Sequence, residues 1–288
     1  MGGAPCTPPR HPSAAAALGP RVARRVVIRL EASEHSRNCR MWSAAILAGG
    51  HARRFGGRDK AALRVGSSAI LERQLALLRT VVDRILIVAN DRARYAGYGV
   101  PVVCDLVSGA GALGGLYTAI RAAGTPRTLV IACDLPFLTG AFLSRLVADG
   151  HDVDVLLPRT ADGFQPLCAT YSDRAGAQIG LEIQAGVRKV IDAVRGADGL
   201  VIRELGPEEL APYDRHGTLF FNVNTPDDHA RAIDLEARLR SSRVDGPPDF
   251  APGASTGGPT SLQKLCRAAE ALREGGRRLA RRPPKSRA

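Results

Sequence analysis

The segment Leu47-Ala48-Gly49-Gly50-His51-Ala52-Arg53-Arg54-Phe55-Gly56-Gly57-Arg58-Asp59-Lys60 gathers residue types suited to chemistry on an anion. Gly49, Gly50, Gly56 and Gly57 let the backbone turn sharply and come close to a ligand. Successive N–H groups in such a turn form an anion-binding concavity. Arg53, Arg54, Arg58 and Lys60 place four cations in the same fourteen residues. Opposite charges about 4 Å apart near a surface attract by roughly 4 kcal/mol. Cations packed together repel unless an anion lies among them, and a polyphosphate fits that place. A solvated loop with incidental arginines is the plainer alternative, and the density of glycine and cation argues against it. Lys60 follows Asp59 and precedes Ala61, so the spacing is not that of a Walker loop.

In-line attack on a triphosphate also calls for a metal to neutralise charge. Magnesium takes one or two carboxylates plus phosphate oxygens. Asp134, in Cys133-Asp134-Leu135-Pro136, closes an apolar run and is the first candidate ligand. Asp105 closes the preceding apolar run in the same way. The structural alternative for each is a turn or helix-capping aspartate. Asn90 ends a further run, where it either meets a nucleobase or shapes its turn.

A rival motif lies in the middle of the chain. Gly109-Ala110-Gly111-Ala112-Leu113-Gly114 is G-x-G-x-x-G, and Asp134 follows Gly114 by twenty residues. That is the spacing of a dinucleotide-binding fingerprint and of an oxidoreductase. Three residues separate Asp105 from Gly109, so the strand-to-glycine turn is not tight. The oxidoreductase reading also leaves Leu47–Lys60 unexplained. We read Gly109–Gly115 instead as a close-approach loop at a helix N-terminus.

These residues must be held by a scaffold, and the pattern of apolar runs predicts which. Strands are predicted over Ser43–Ala48, Arg84–Asn90, Val100–Asp105, Thr128–Asp134 and Val153–Pro158. Helices are predicted over Ser68–Val82, Ala112–Ala123 and Thr139–Asp149. Short continuous apolar strands alternating with helices imply an α/β, doubly wound, mostly parallel sheet with helices on both faces. Ligands then sit beyond the carboxyl ends of strands. The second half is less regular. It predicts strands over Pro166–Tyr171, Leu200–Leu205 and Leu219–Asn224, and helices over Arg188–Arg195 and Pro226–Arg240, with proline at the start of the latter.

Charge and composition bound the partners. Of the net +12, residues 1–40 carry +5 and residues 243–288 carry +6, which leaves +1 for 41–242. The basic character belongs to the tails, and aromatics make up only 5% of the chain, so no stacking platform for nucleic acid is evident. No nucleic-acid partner is expected. Residues 1–40 are expected to be a disordered extension, with Met41 as the expected translation start, although Arg25–Leu30 has the look of a short isolated strand. Residues 41–242 are the catalytic domain, and 243–288 a linker plus a basic tail that becomes helical over Leu262–Ala280. The six cysteines show no C-x-x-C pair, so zinc is unsupported. Cys104, Cys133 and Cys168 lie in apolar runs and are expected to be buried thiols of a reducing compartment. No apolar run reaches the length of a membrane span, and 1–40 lacks the order of a signal peptide. The expectation is a cytoplasmic protein.

With these residues in hand, the chain resembles the molybdenum cofactor guanylyltransferase family of the nucleotidyltransferase superfamily. Leu47-Ala48-Gly49-Gly50 through Lys60, Asp105 with Gly111–Leu116, Cys133–Phe137, Gln165-Pro166-Leu167 and Phe221-Asn222-Val223-Asn224-Thr225-Pro226 carry the resemblance, over about residues 41–240. It implies a Rossmann-like nucleotidyltransferase fold and magnesium-dependent transfer of GMP from GTP to molybdopterin, with release of pyrophosphate. By analogy Leu47, Ala48 and Gly49 hold the nucleotide through backbone contacts, and Lys60 meets the phosphates. Asn90 and Asp105 contact GTP, Asp134 binds GTP and magnesium, and Asn222 and Asn224 line the acceptor side. Lys60, Arg53 and Asp134 would carry the catalysis. Molybdoenzyme apoproteins or cofactor-insertion proteins are the implied partners. Ala112 stands where the family often has proline, and Phe55 where methionine is common. The alternatives are a cytidylyltransferase for the same cofactor, a sugar-phosphate nucleotidyltransferase, or a non-catalytic module that binds GTP and delivers the cofactor.

Overall fold

The computed structural model describes residues 42–48 and 60–241. The glycine-and-cation loop from Gly49 to Asp59 lies outside the described residues, as do both tails with Arg25–Leu30, Met41 and Leu262–Ala280. The chain divides into a unit ending at Glu236 and a second beginning at Ala237.

Strand β1 (Trp42–Leu47) is buried along its whole length. Its alternating side chains serve two cores, as a doubly covered strand must. Trp42, Ala44 and Ile46 face a cluster that includes Leu71, Leu75 and Leu78 of helix α1 (Ile70–Leu78) and Phe142, Leu143 and Leu146 of helix α4 (Gly140–Asp149). Ala45 and Leu47 face a second cluster with Leu113, Leu116 and Ile120 of helix α3 (Gly111–Ala123). Ile179 and Ile183 of α5 (Asp173–Gln184) and Val194 of α6 (Val190–Gly196) join that cluster. Helices therefore cover both faces of the sheet, as the alternation of runs predicts.

Ahead of α1, β2 (Arg64–Val65) and β3 (Ser68–Ala69) form a separate two-stranded hairpin. The main sheet also contains β4 (Arg84–Val88), β5 (Val102–Val103), β6 (Arg127–Ala132), β7 (Val155–Thr160), β9 (Cys168–Ser172) and β10 (Ile202–Leu205). Between β4 and β5 lies the single-turn helix α2 (Arg92–Tyr95). The strand order is β10-β7-β9-β6-β1-β4-β5, and the two-residue β8 (Gly163–Phe164) pairs with β7. β1 runs parallel to β4 and β6, β4 to β5, and β7 to β10. β9 alone in this order is reversed against its neighbours β6 and β7. From β1 the chain builds outward through β4 and β5, then returns to the other side of β1 with β6. That is a topological switch point, where an open α/β sheet leaves a crevice for a ligand.

Two readings need correction. Leu219–Asn224 is not a strand. Phe221 N–H donates to Thr218 O in a turn, and Val223 N–H donates to Asp134 O rather than to a ladder. The segment is apolar because Leu219 and Val223 are buried, and because Phe220 packs edge-on to Phe142 and Phe221 to Phe137. Cys133 and Cys168 are buried thiols, but Cys104 is half-buried and disulfide-bonded. Helix α7 (Pro207–Leu210) follows β10, and α8 (Pro226–Ser241) closes the described chain. No helix among the described residues is long and apolar enough to cross a membrane.

Candidate active site at the strand ends

The carboxyl ends of the parallel strands bring most of the sequence-predicted residues to one rim. Leu47 ends β1, with Ala48 following. Asn90 lies just past β4, Asp105 past β5, and Asp134 past β6. The rim is tied together by the backbone. Ala48 N–H donates to Val88 O at 2.9 Å, and Cys133 N–H donates to Leu47 O at 3.1 Å. The Ala48 N–H and the Leu47 carbonyl are thus both engaged within the sheet.

Asn90 and Asp105 form a reciprocal pair. Asn90 Nδ2 donates to Asp105 Oδ2 at 2.9 Å, and Asp105 N–H donates to Asn90 Oδ1 at 3.0 Å. Each sets the other's orientation across the β4 and β5 ends. A Cβ at Gly115 would lie 3.8 Å from Asp105 Oδ1 and 3.9 Å from the Leu47 side chain. The first turns of α3 therefore sit against both.

The glycine motif at the start of α3 is a turn, not a dinucleotide fingerprint. Gly109 and Gly111 take φ of 78° and 57°, the left-handed region that favours glycine. The preceding strand β5 has two residues and lies at the sheet edge, separated from β6 by β4 and β1. In a fingerprint the acidic residue would stand on the strand beside the glycine turn. Asp134 does not.

Lys60 opens a 3-10 turn (Lys60–Ala62), and its Nζ donates to Asn224 Oδ1 at 2.8 Å. Asn224 is held in turn by the start of α8. Thr225 Oγ1 accepts from Asp228 N–H, while Asp228 Oδ2 accepts from the N–H groups of Asn224 and Thr225. This is a reciprocal cap in which Asp takes the usual place of Glu, with Pro226 at the first helical position. Asn222 is exposed in the same segment. Gly49 and Arg53 lie outside the described residues.

Asp134 is the electrostatic centre of the rim. Burial pushes its carboxyl above the usual range, against the opposing pull of Lys60 and of its own backbone N–H. Its Oδ1 is buried and has no hydrogen-bond partner. An orphaned buried carboxylate oxygen is costly and calls for a cation. No cluster of three or more His, Cys, Asp or Glu among the described residues could hold a metal. One carboxylate with an open oxygen nevertheless fits magnesium, whose other positions are filled by water and phosphate oxygens.

The sequence reading missed Gln74. This α1 residue is 1% exposed, and its Nε2 donates to Ala132 O at 2.8 Å and Leu135 O at 3.1 Å. The signal was present, because Gln74 interrupts the stripe Leu71, Leu75, Leu78 on the buried side of the helix.

Comparison with known proteins agrees with this geometry. Residues 44–198 match the family described as the MobA-like NTP transferase domain. A molybdenum cofactor guanylyltransferase of Desulfosudis oleivorans is 33% identical, covering 69% of this chain and 96% of its own length. A probable molybdenum cofactor guanylyltransferase of Chloroflexus aggregans is 36% identical, covering 65% of this chain and 91% of its own. The crystal structure of molybdopterin-guanine dinucleotide biosynthesis protein A from Archaeoglobus fulgidus superposes with a TM-score of 0.59 at 27% identity, covering 68% of this chain and 99% of the other. With its switch-point rim, its matched residues and its near-full-length relatives, the chain belongs to the MobA-like nucleotidyltransferases, in the molybdenum cofactor guanylyltransferase family.

Proposed function

We propose that this chain transfers GMP from GTP to the phosphate of molybdopterin and releases pyrophosphate. The observation that carries the reading is the meeting of Lys60, Asp134 and Asn224. Lys60 Nζ is bonded to Asn224 and acts electrostatically on Asp134, whose buried Oδ1 lacks a partner. A cation, a carboxylate open to a metal and the acceptor-side segment thus share one rim. A magnesium ion on Asp134 would neutralise charge on the triphosphate. An acceptor phosphate oxygen forms the new bond to the α-phosphorus, and the bond from that phosphorus to the bridging oxygen breaks. Pyrophosphate leaves with the electron pair. The acceptor phosphate is already ionised near neutral pH, so no strong general base is needed. In this reading Lys60 stabilises the developing charge, and Arg53 is expected to share that role. Catalysis is positioning and charge stabilisation.

Leu47, Ala48 and Gly49 line the nucleotide side in this reading. The Asn90–Asp105 pair faces GTP, and Asn222 and Asn224 face the acceptor. Residues 41–242 form the catalytic domain. A GTP-dependent enzyme of this kind works in the cytoplasm and passes its product to molybdoenzyme apoproteins or insertion proteins.

The test is pyrophosphate release with Mg²⁺ and molybdopterin, comparing GTP, CTP and ATP. Release with GTP alone is expected. Release with CTP would move the protein to the cytidylyl reaction. Tight GTP binding without release would make it a delivery module.

A further inference from the structure

We propose that Gln74 is a positioning residue for Asp134: its buried amide clamps the two carbonyls that bracket the Cys133–Asp134 turn and so sets where the carboxylate points. The inference rests on the reading of Asp134 as the residue that faces metal and nucleotide.

Ala132 is the last residue of β6, and Leu135 is the residue immediately after Asp134. Gln74 Nε2 donates to both of their carbonyls, at 2.8 and 3.1 Å. A primary amide has two N–H donors, so its donor end is fully used. The rest of the turn is held by Cys133 N–H on Leu47 O and by Val223 N–H on Asp134 O. Those bonds tie the turn to β1 and to the acceptor-side segment. Gln74 supplies the tie to α1, the one that spans the turn from its entry to its exit.

The amide is an expensive way to fill that space. Gln74 Oε1 is buried and has no partner, and a buried unsatisfied acceptor carries a desolvation penalty. Leucine or methionine would fill the stripe between Leu71 and Leu78 without it. The donor end therefore does what packing alone does not. A group that fixes a metal-facing residue without touching the metal acts as an outer-shell partner, and loss of such partners typically weakens metal affinity about 10–100-fold.

The test uses the full chain with manganese as a paramagnetic stand-in for magnesium. Free Mn²⁺ is titrated by electron paramagnetic resonance in the presence of GTP. Gln74→Met keeps the length, suits the apolar stripe and removes both donors. We expect it to weaken Mn²⁺ binding in the GTP complex about tenfold and to lower kcat, with the KM for molybdopterin unchanged. Gln74→Glu keeps the shape. Its carboxyl, buried beside two carbonyl oxygens, holds its proton and returns one hydrogen bond, so its Mn²⁺ affinity should fall between those of Gln74→Met and the unaltered chain. A lowered Tm with unchanged Mn²⁺ affinity in folded Gln74→Met would overturn the proposal. Should Gln74→Met not fold, unchanged affinity in Gln74→Glu would do the same. Failure of the unaltered chain to bind Mn²⁺ with GTP would overturn the functional reading, and this proposal with it.

Discussion

Asp134 is held where its own charge is disfavoured, and that conflict can be measured. Burial raises its folded-state pKa above the unfolded value. The sign follows from linkage. A group with a raised pKa contributes stability below its unfolded pKa, and that contribution is lost as pH rises through the folded value. Ionising this carboxyl therefore works against the metal-free fold. Asp134→Asn should abolish Mg²⁺-dependent pyrophosphate release. The same substitution should leave the Tm of the metal-free protein at pH 7 unchanged or raise it, as calorimetry will show. A marked fall in Tm would mean that the carboxylate is structural. Lys60→Ala makes a complementary prediction. Its bond to Asn224 is exposed, so its stability cost should be small, while turnover should fall roughly 100-fold, as for loss of one transition-state donor. At this scale the sequence was most legible where chemistry needs charge. Asp105 and Asp134 announce themselves by type and by their place after apolar runs, and Lys60 by its place in the glycine-and-cation loop. Gln74 shows in the sequence only as a polar break in the apolar stripe of α1, and what it holds follows from its partners.

At the scale of elements, the start of α8 ties stability to Asn224, on the proposed acceptor side. Thr225 Oγ1 and Asp228 Oδ2 satisfy backbone N–H groups of the first turn, including that of Asn224. Thr225→Val removes the capping hydroxyl's acceptor. It should cost about 1 kcal/mol of stability and raise the KM for molybdopterin more than that for GTP, as steady-state kinetics with each substrate varied will show. Equal effects on both would detach the cap from the acceptor side. The elements around β1 were legible because buried parallel strands are written as unbroken apolar runs. Leu219–Asn224 was misread for the same reason. A run whose rings pack on α4 and on the turn after Asp134 looks like a strand when only polarity is counted. Helix α5 received no element at all. Its buried side is Ala175, Gly176, Ile179 and Ile183, too small and sparse a stripe to announce a helix. Its N-cap Ser172, which accepts from Ala175 N–H, was the available cue.

Across the whole molecule, the two ends of the sheet do different work. The carboxyl ends hold the proposed active rim. The amino end of β1 is closed by Trp42, whose Nε1 donates to His151 Nε2 at 3.2 Å, with the rings edge-on at 5.4 Å. His151 must be unprotonated at Nε2 to accept. Burial and then the Arg127 charge lower its pKa, with Asp152 opposing. Burial pushes the nearby Asp154 up, but Val201 N–H, the Ser172 hydroxyl, Arg174 and Arg127 together hold it below the usual range. Both groups have depressed folded pKa values, so both contribute stability at neutral pH that is lost on acidification. The His151 contribution should decline from about pH 6.5 downward, and that of Asp154 only below the ordinary carboxylate range. Thermal unfolding between pH 7 and 5 should therefore show a falling Tm, and His151→Phe should flatten that slope. An unchanged slope would place the titration elsewhere.

The reversal of β9 against its neighbours has a consequence for how such an enzyme can change. β9 runs against both β6 and β7, so β7 ends and β9 begins on the rim where Asp134 lies. The connection through β8 crosses that rim, and Leu167 O there accepts from Ala132 N–H at the end of β6. Its middle, residues 161–164, is exposed or half-buried. Insertions at residues 161–162 lengthen one hairpin and leave the pairing of β9 with β6 and β7 untouched. Such an insertion would reshape the rim beside Asp134 and leave intact the strands that carry it.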